Sequence, residues 1–287
     1  MIEAFLTYQF LQNAFLSGIM IGFLAPLLGV FIVVRRQSLI ADSLSHITLA
    51  GIAANLLLAK HVSFFQGLNP VYLGMTFSVI GSLLIEQLRK VYKFYQELAI
   101  PIILSAGIGL SVIFISLADG FNTDLFNYLF GSVIAVSRSD LFIITTIAVL
   151  ILIVIIFFYK ELFFLSFDEE QAIVSGIRSK WIHFMFIILV ALVIAASMRI
   201  VGILLVSSLM TLPVAASIRI ARGFKQTIYF SILFGELAVI VGLIAAYYLD
   251  IAPGGTIVIL SVVILIAAVI WKKWKQTRGV RTNLIKR

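Results

Sequence analysis

Apolar runs of about 20 residues, each closed by charge, proline or glycine, recur along almost the whole chain. Their limits fall near 10–34, 39–60, 70–88, 98–118, 140–160, 181–200, 201–222, 227–249 and 256–271. A helix rises about 1.5 Å per residue, so each run is long enough to cross a hydrocarbon core of about 30 Å. Unpaired backbone groups are too costly in lipid for anything but helices or closed barrels, and runs this continuous predict helices. The pattern predicts an all-α polytopic membrane protein of eight to nine transmembrane helices, with a membrane domain over 1–271 and a basic tail over 272–287. Arg199, Gly202 and Pro213 interrupt an otherwise continuous stretch from 181 to 222, which reads either as two spans or as one span and a broken piece.

Composition agrees with this frame. The 287 residues are 62% hydrophobic and only 12% charged, with a mean hydropathy of +1.16, against roughly 25% charged residues in an ordinary soluble domain. No stretch is left for a soluble domain of any size. The net charge of +8 comes from residues between the apolar runs and in the tail, so it reports topology and gives no basic face for nucleic acid. With nine spans, eighteen of the 21 Lys and Arg fall on one side, and only Lys60, Arg138 and Arg199 on the other. That asymmetry puts the N-terminus outside and the C-terminus in the cytoplasm; an even number of spans would move the N-terminus inside. The first run lacks a basic leader and reads as a retained span. Cysteine is absent, which excludes disulfides and thiolate metal sites and leaves oxygen and imidazole as ligands.

Two connections are long. Residues 119–139 alternate aromatic and polar positions, as expected of a helix in the membrane interface or at the mouth of the bundle. Residues 161–180 hold Ser166-Phe-Asp-Glu-Glu-Gln-Ala-Ile-Val-Ser-Gly-Ile177, where Asp168 and Gln171 suggest a capping box and Gly176 a stop. This spacing predicts a short cytoplasmic helix of about two turns.

The chemistry is concentrated in the run from 39 to 58, where Asp42 and His46 lie one helical turn apart and place a carboxylate at membrane depth. Asp42, Ser45 and His46 share a helix face. A carboxylate with a neutral imidazole suits Zn²⁺, Mn²⁺ or Fe²⁺ better than Ca²⁺ or Mg²⁺, which take oxygen ligands. One chain gives two strong ligands; two chains on a two-fold axis would give the four of a tetrahedral site. The competing reading pairs Asp42 and His46 with each other or with Arg35 and Arg36. Glu236, the other carboxylate at membrane depth, either lines the same pathway as an auxiliary ligand or bonds to a neighbouring helix. His61 reads as a solvated loop residue and His183 as an interfacial one. No phosphate-binding Gly-x-x-x-x-Gly-Lys-Ser/Thr loop and no nucleophile elbow occur, so ATP-driven work needs another polypeptide and the chain is not expected to be an enzyme.

Over nearly its whole length the sequence resembles the membrane-spanning permease subunits of bacterial ABC importers for zinc, manganese and iron(II). Five blocks carry the resemblance: Phe31-Ile-Val-Val-Arg-Arg-Gln-Ser-Leu-Ile-Ala-Asp-Ser-Leu-Ser-His46, Leu129-Phe-Gly-Ser-Val-Ile134, Ser166-Phe-Asp-Glu-Glu170, the stretch from Ile200 to Pro213, and Tyr248-Leu-Asp-Ile-Ala-Pro-Gly-Gly255. The resemblance implies a permease bundle in the cytoplasmic membrane, a second and identical permease copy, cytoplasmic ABC ATPase subunits below, and an extracellular metal-binding lipoprotein above. It makes Asp42 and His46 ligands on a transport path, with no permanently bound cofactor. It makes Phe167, Asp168, Glu169 and Glu170 the segment that couples to the ATPase. Relatives often carry Pro before Gly in the block after the histidine; Ala50-Gly51 here implies a straighter helix. The 124–131 stretch and the Arg35 to Asp42 block are most similar to zinc-uptake members, so Zn²⁺ is the expected cargo, with Mn²⁺ or Fe²⁺ next. A proton-coupled secondary transporter using Asp42, His46 and Glu236 is the alternative mechanism.

Overall fold

The computed structural model describes residues 7–118, 120, 123–132 and 136–285, with side chains omitted at 123, 124, 204 and 276–285. Thirteen α-helices follow in order: α1 (Gln9–Val34), α2 (Leu39–His61), α3 (Ser63–Gln66), α4 (Pro70–Val91), α5 (Ala99–Leu117), α6 (Thr123–Phe130), α7 (Arg138–Phe157), α8 (Tyr159–Phe167), α9 (Glu169–Val174), α10 (Ser179–Val201), α11 (Ile203–Ile220), α12 (Phe224–Leu249) and α13 (Pro253–Ile285). No strand occurs among the described residues. Among the described residues eight helices are long and apolar enough to cross a membrane.

Contacts at the helix ends sort into two opposite ends of the bundle. At one, Asp140 at the start of α7 meets Asn69 ahead of α4 and Arg199 near the close of α10. At the other, His183 near the start of α10 meets Arg35 after α1 and Glu86 late in α4. The chain alternates between these ends. α11, with 18 residues, runs from beside Leu129 at the Asp140 end to the turn before Phe224, which packs on Phe31 at the His183 end. It thus traverses the bundle from end to end, and the stretch from 181 to 222 is two helices.

Gly202 makes that division. Its φ of 85° with ψ of 148° is open to glycine alone, and a Cβ there would lie 2.5 Å from the carbonyl oxygen of Leu129. The chain can therefore reverse inside one apolar run with no polar loop. Pro213 sits within α11 without ending it.

α1, α2 and α10 form the interior of the bundle, and their buried faces carry Leu28, Phe31, Leu44, Ile52, Ile187 and Ile194. α4, α5, α7, α12 and α13 surround them and keep exposed apolar side chains, as helices bordering lipid do. α6, in the first long connection, buries Leu125, Tyr128 and Leu129, so it is packed at the mouth of the bundle. The second long connection holds two helices: α8 extends the preceding span past a break at Phe158, and α9 is the predicted two-turn helix.

Candidate metal site and its coupling segment

The site helix α2 starts abruptly. The amide of Arg36 donates to Val33 O and that of Gln37 to Ile32 O, both at 3.0 Å, which is a Schellman closure of α1. Arg36 takes the left-handed position, φ 58°, usually given to glycine. α2 therefore begins at Leu39, where the apolar run starts, and Asp42 lies in its first turn. There the carboxylate also faces the favourable N-terminal end of the helix dipole.

α2 is wedged among its neighbours. Gly51 approaches the backbone of Leu73 and Gly74 on α4, and Gly107 on α5 approaches the backbone of His46 and Ile47. Ser111 Oγ on α5 lies 3.0 Å from the carbonyl oxygen of His46. Between positions 40 and 55 every residue is buried except Asp42 and His46. Two polar side chains thus hold the one open strip of an otherwise enclosed helix. Ser45 does not share it: it is buried, and its hydroxyl donates to the carbonyl of Ala41 at 2.8 Å.

Among the described residues neither Asp42 nor His46 forms an ion pair or side-chain hydrogen bond with the other, with Arg35 or with Arg36. No group of three or more His, Asp or Glu is assembled within the described part of the chain. One copy therefore offers two ligands of the borderline type, an anionic oxygen and an imidazole nitrogen, facing an opening.

Arg35, which the sequence left as a plain flanking cation, is buried and engaged. Its Nη1 is 2.9 Å from His183 Nδ1, its Nε is 3.4 Å from Ser166 Oγ, and its guanidinium lies over the ring of Phe186. Burial lowers its pKa to about 10, which still leaves it cationic at neutral pH. His183 Nε2 lies 2.8 Å from both Glu86 Oε1 and Arg89 Nη1. Arg89 closes on the same carboxylate at 3.3 Å. His183 is thus the hub of a network joining α1, α4 and α10, beyond the interfacial role expected of it. The i, i+3 spacing of Glu86 and Arg89 was a visible sign of their pairing; their meeting with His183 and Arg35 had no sequence signal.

The coupling segment lies beside this network. Asp168 caps α9 by accepting from the Gln171 amide at 2.9 Å, and no reciprocal Gln171 bond completes a box. Gly176, at φ 83°, ends the helix with Gly176 N to Ile173 O and Ile177 N to Ala172 O bonds. Phe167, Glu169 and Glu170 are exposed, and Glu169 lines a cavity with Arg35, Arg36, Arg89, Ser166 and His183.

Glu236 stands apart from the pair. α12 packs on α1, α11 and α13, and the carboxylate lies near Gly22 of α1. One oxygen, Oε2, is buried without a hydrogen-bond partner in the described structure. Neither expectation for it is met within one chain. His61 is exposed at the end of α2, as expected.

The fold and site define a polytopic α-helical membrane permease whose candidate ligands lie on an interior helix near a short exposed coupling helix. The family model described as "ABC 3 transport family" matches residues 7–272, and the chain belongs to that family. It is therefore a multi-pass permease of the ABC transporter class. A probable metal transport system membrane protein of Treponema pallidum is 36% identical over 264 residues, covering 92% of this chain and 96% of that protein. The manganese transport system membrane protein MntC of Listeria monocytogenes is 30% identical, with 93% and 92% covered. The high-affinity zinc uptake system membrane protein ZnuB of Haemophilus influenzae is 31% identical, with 88% and 94% covered. The solved structure of PsaBC from Streptococcus pneumoniae in complex with Fab superposes with a TM-score of 0.80 at 31% identity, covering 93% of both chains.

Proposed function

We propose that this chain is the permease subunit of an importer for a divalent transition metal, and that Asp42 and His46 are ligands at a station on the metal's path. The observation that carries the proposal is that these two residues alone keep partial solvent access on an otherwise buried stretch of α2. Family membership and the metals named for relatives support the substrate class.

Two ligands do not close a site, so a second, identical copy completes it. Two Asp and two His bring −2 against the +2 of the ion, and the occupied station is near neutral. A proton-coupled route through Asp42, His46 and Glu236 finds no support in the packing, since α12 and α2 are not neighbours of note. Energy comes instead from separate ATPase subunits docking on the exposed apolar tips Ile173 and Val174 of α9. Ser166, just before α9, bonds Arg35, and Arg35 is seven residues ahead of Asp42. Movement of the coupling helix thus has a short mechanical route to the ligands.

The His183 end is cytoplasmic by the distribution of Lys and Arg, which places the N-terminus outside, the C-terminus inside and the docking face for a metal-delivering lipoprotein at the Asp140 end. Zn²⁺ is the cargo we favour on block similarity, since the ligand types suit either metal. Mn²⁺ is the second reading, favoured by several manganese-named relatives that are as similar to this chain as the zinc-named one. Uptake of each metal, measured by elemental analysis in cells lacking other importers, tests both site and cargo. Unchanged uptake by Asp42→Ala and His46→Ala would overturn the site; loss of Mn²⁺ but not Zn²⁺ accumulation on deletion would overturn the cargo.

A further inference from the structure

The turn between α11 and α12 carries Arg219, Arg222 and Lys225, all exposed at the His183 end. Among the described residues none of the three forms an ion pair. Arg222, Lys225 and Gln226 form the wall between two adjoining hollows, one floored by Tyr159, Phe163 and Phe224 and the other by Tyr229 and Phe230. No carboxylate lines either hollow. The Gln226 side chain is already occupied, its Oε1 accepting from the Arg222 amide at 2.9 Å, and α12 starts at Gly223 with no side-chain cap. Cations, the positive end of a 26-residue helix and aromatic walls therefore converge without a counter-charge.

A second feature continues from this spot. Tyr229, Leu233, Leu237 and Ile240 are exposed at spacings that put them on one face of α12, so an apolar ridge climbs from the hollows toward the bundle's middle. The site is amphipathic in one direction, with charge at the membrane surface and hydrocarbon-facing side chains above it.

We propose that this is a binding site for an anionic phospholipid, its phosphate held by Arg222 and Lys225 and an acyl chain lying along the α12 ridge. Basic pockets between transmembrane helices at a membrane surface take acidic headgroups in this way. A second copy of the permease is the poorer occupant, because a two-fold contact centred here would bring the same unpaired cations face to face. The inference goes beyond metal import and does not depend on it.

The test uses the full chain purified in a neutral detergent and offered phosphatidylglycerol, phosphatidylcholine or inorganic phosphate, with bound lipid counted by native mass spectrometry. Phosphatidylglycerol should be retained and phosphatidylcholine should not. Arg222→Gln with Lys225→Gln should weaken phosphatidylglycerol binding about 30-fold, each single change about fivefold, while Arg222→Lys keeps it. The single variants keep the question answerable where the double variant does not fold. Inorganic phosphate should not displace the lipid, because it lacks the chain for the ridge. Equal retention of phosphatidylcholine, unchanged binding by the folded variants, or displacement by phosphate alone would each overturn the proposal. So would variants that keep the lipid but lose association with the ATPase, which would make the turn a protein-docking site.

Discussion

Arg199 Nη1 lies 2.6 Å from Asp140 Oδ2 and joins the close of α10 to the start of α7. Around that pair, Asn69 donates to the other carboxylate oxygen at 2.9 Å, and Arg199 donates to the hydroxyl of Tyr128 at 2.9 Å. The Asp140 carboxylate, 4% exposed, joins α7 to α10 and to the segment ahead of α4, and Arg199 extends the link to α6. Asp140→Ala should therefore lower the melting temperature in detergent, with a loss of about 2–3 kcal/mol, below the usual cost of breaking a buried pair because Arg199 keeps some solvent. The doubly substituted Asp140→Leu, Arg199→Met chain should recover much of that loss; no recovery would mean the charges are not the reason.

Gly202 is expected to be intolerant of a side chain. Its φ of 85° is costly for any other residue, about 1–3 kcal/mol, and the added methyl overlaps the Leu129 carbonyl. Gly202→Ala should reduce the yield of folded protein, whereas Gly109→Ala, a helical position with open space around it, should leave yield unchanged or raise stability. Comparable yields for the two would remove the argument that Gly202 sets the reversal.

Asp42→Asn and His46→Ala are expected to separate function from folding. Both side chains are only half-buried, so each change should alter stability by no more than about 1 kcal/mol. Metal uptake should fall at least about tenfold, the factor set by losing roughly 1.4 kcal/mol of ligand binding. A parallel drop in melting temperature and uptake would instead mark the pair as structural.

The cap of α9 offers a finer probe. Asp168 satisfies the Gln171 amide, so Asp168→Ala should destabilise this six-residue helix by about 1 kcal/mol, and Asp168→Asn should preserve it. Under the coupling proposal the alanine variant loses transport in vesicles containing the whole importer while the asparagine variant keeps it. Equal transport by both would detach the helix from the power stroke.

Much of this architecture was legible from residue order. Apolar runs bounded by charge gave the crossings because lipid admits only helices of that length. The cap at Asp168 and the stop at Gly176 were readable because capping is chemistry between residues close in sequence. Asp42 and His46 were visible as a spaced pair because a helix repeats on a fixed turn.

Tertiary packing decided the rest. Sequence could not say that 181–222 reverses at Gly202, since the reversal depends on how closely the Leu129 carbonyl approaches. It placed Ser45 with the pair, whereas neighbouring helices bury Ser45 and leave Asp42 and His46 open. It placed the start of the site run at 39 without its cause, which is the Schellman turn at Arg36 that closes α1. It left Glu236 beside the pair as a candidate, and packing sets α12 against α1, α11 and α13. The sequence alone determined a membrane bundle with a ligand-type pair, because periodicity and hydrophobicity are local properties. Only the fold decided which polar groups meet and which face open space, because those depend on residues far apart in the chain.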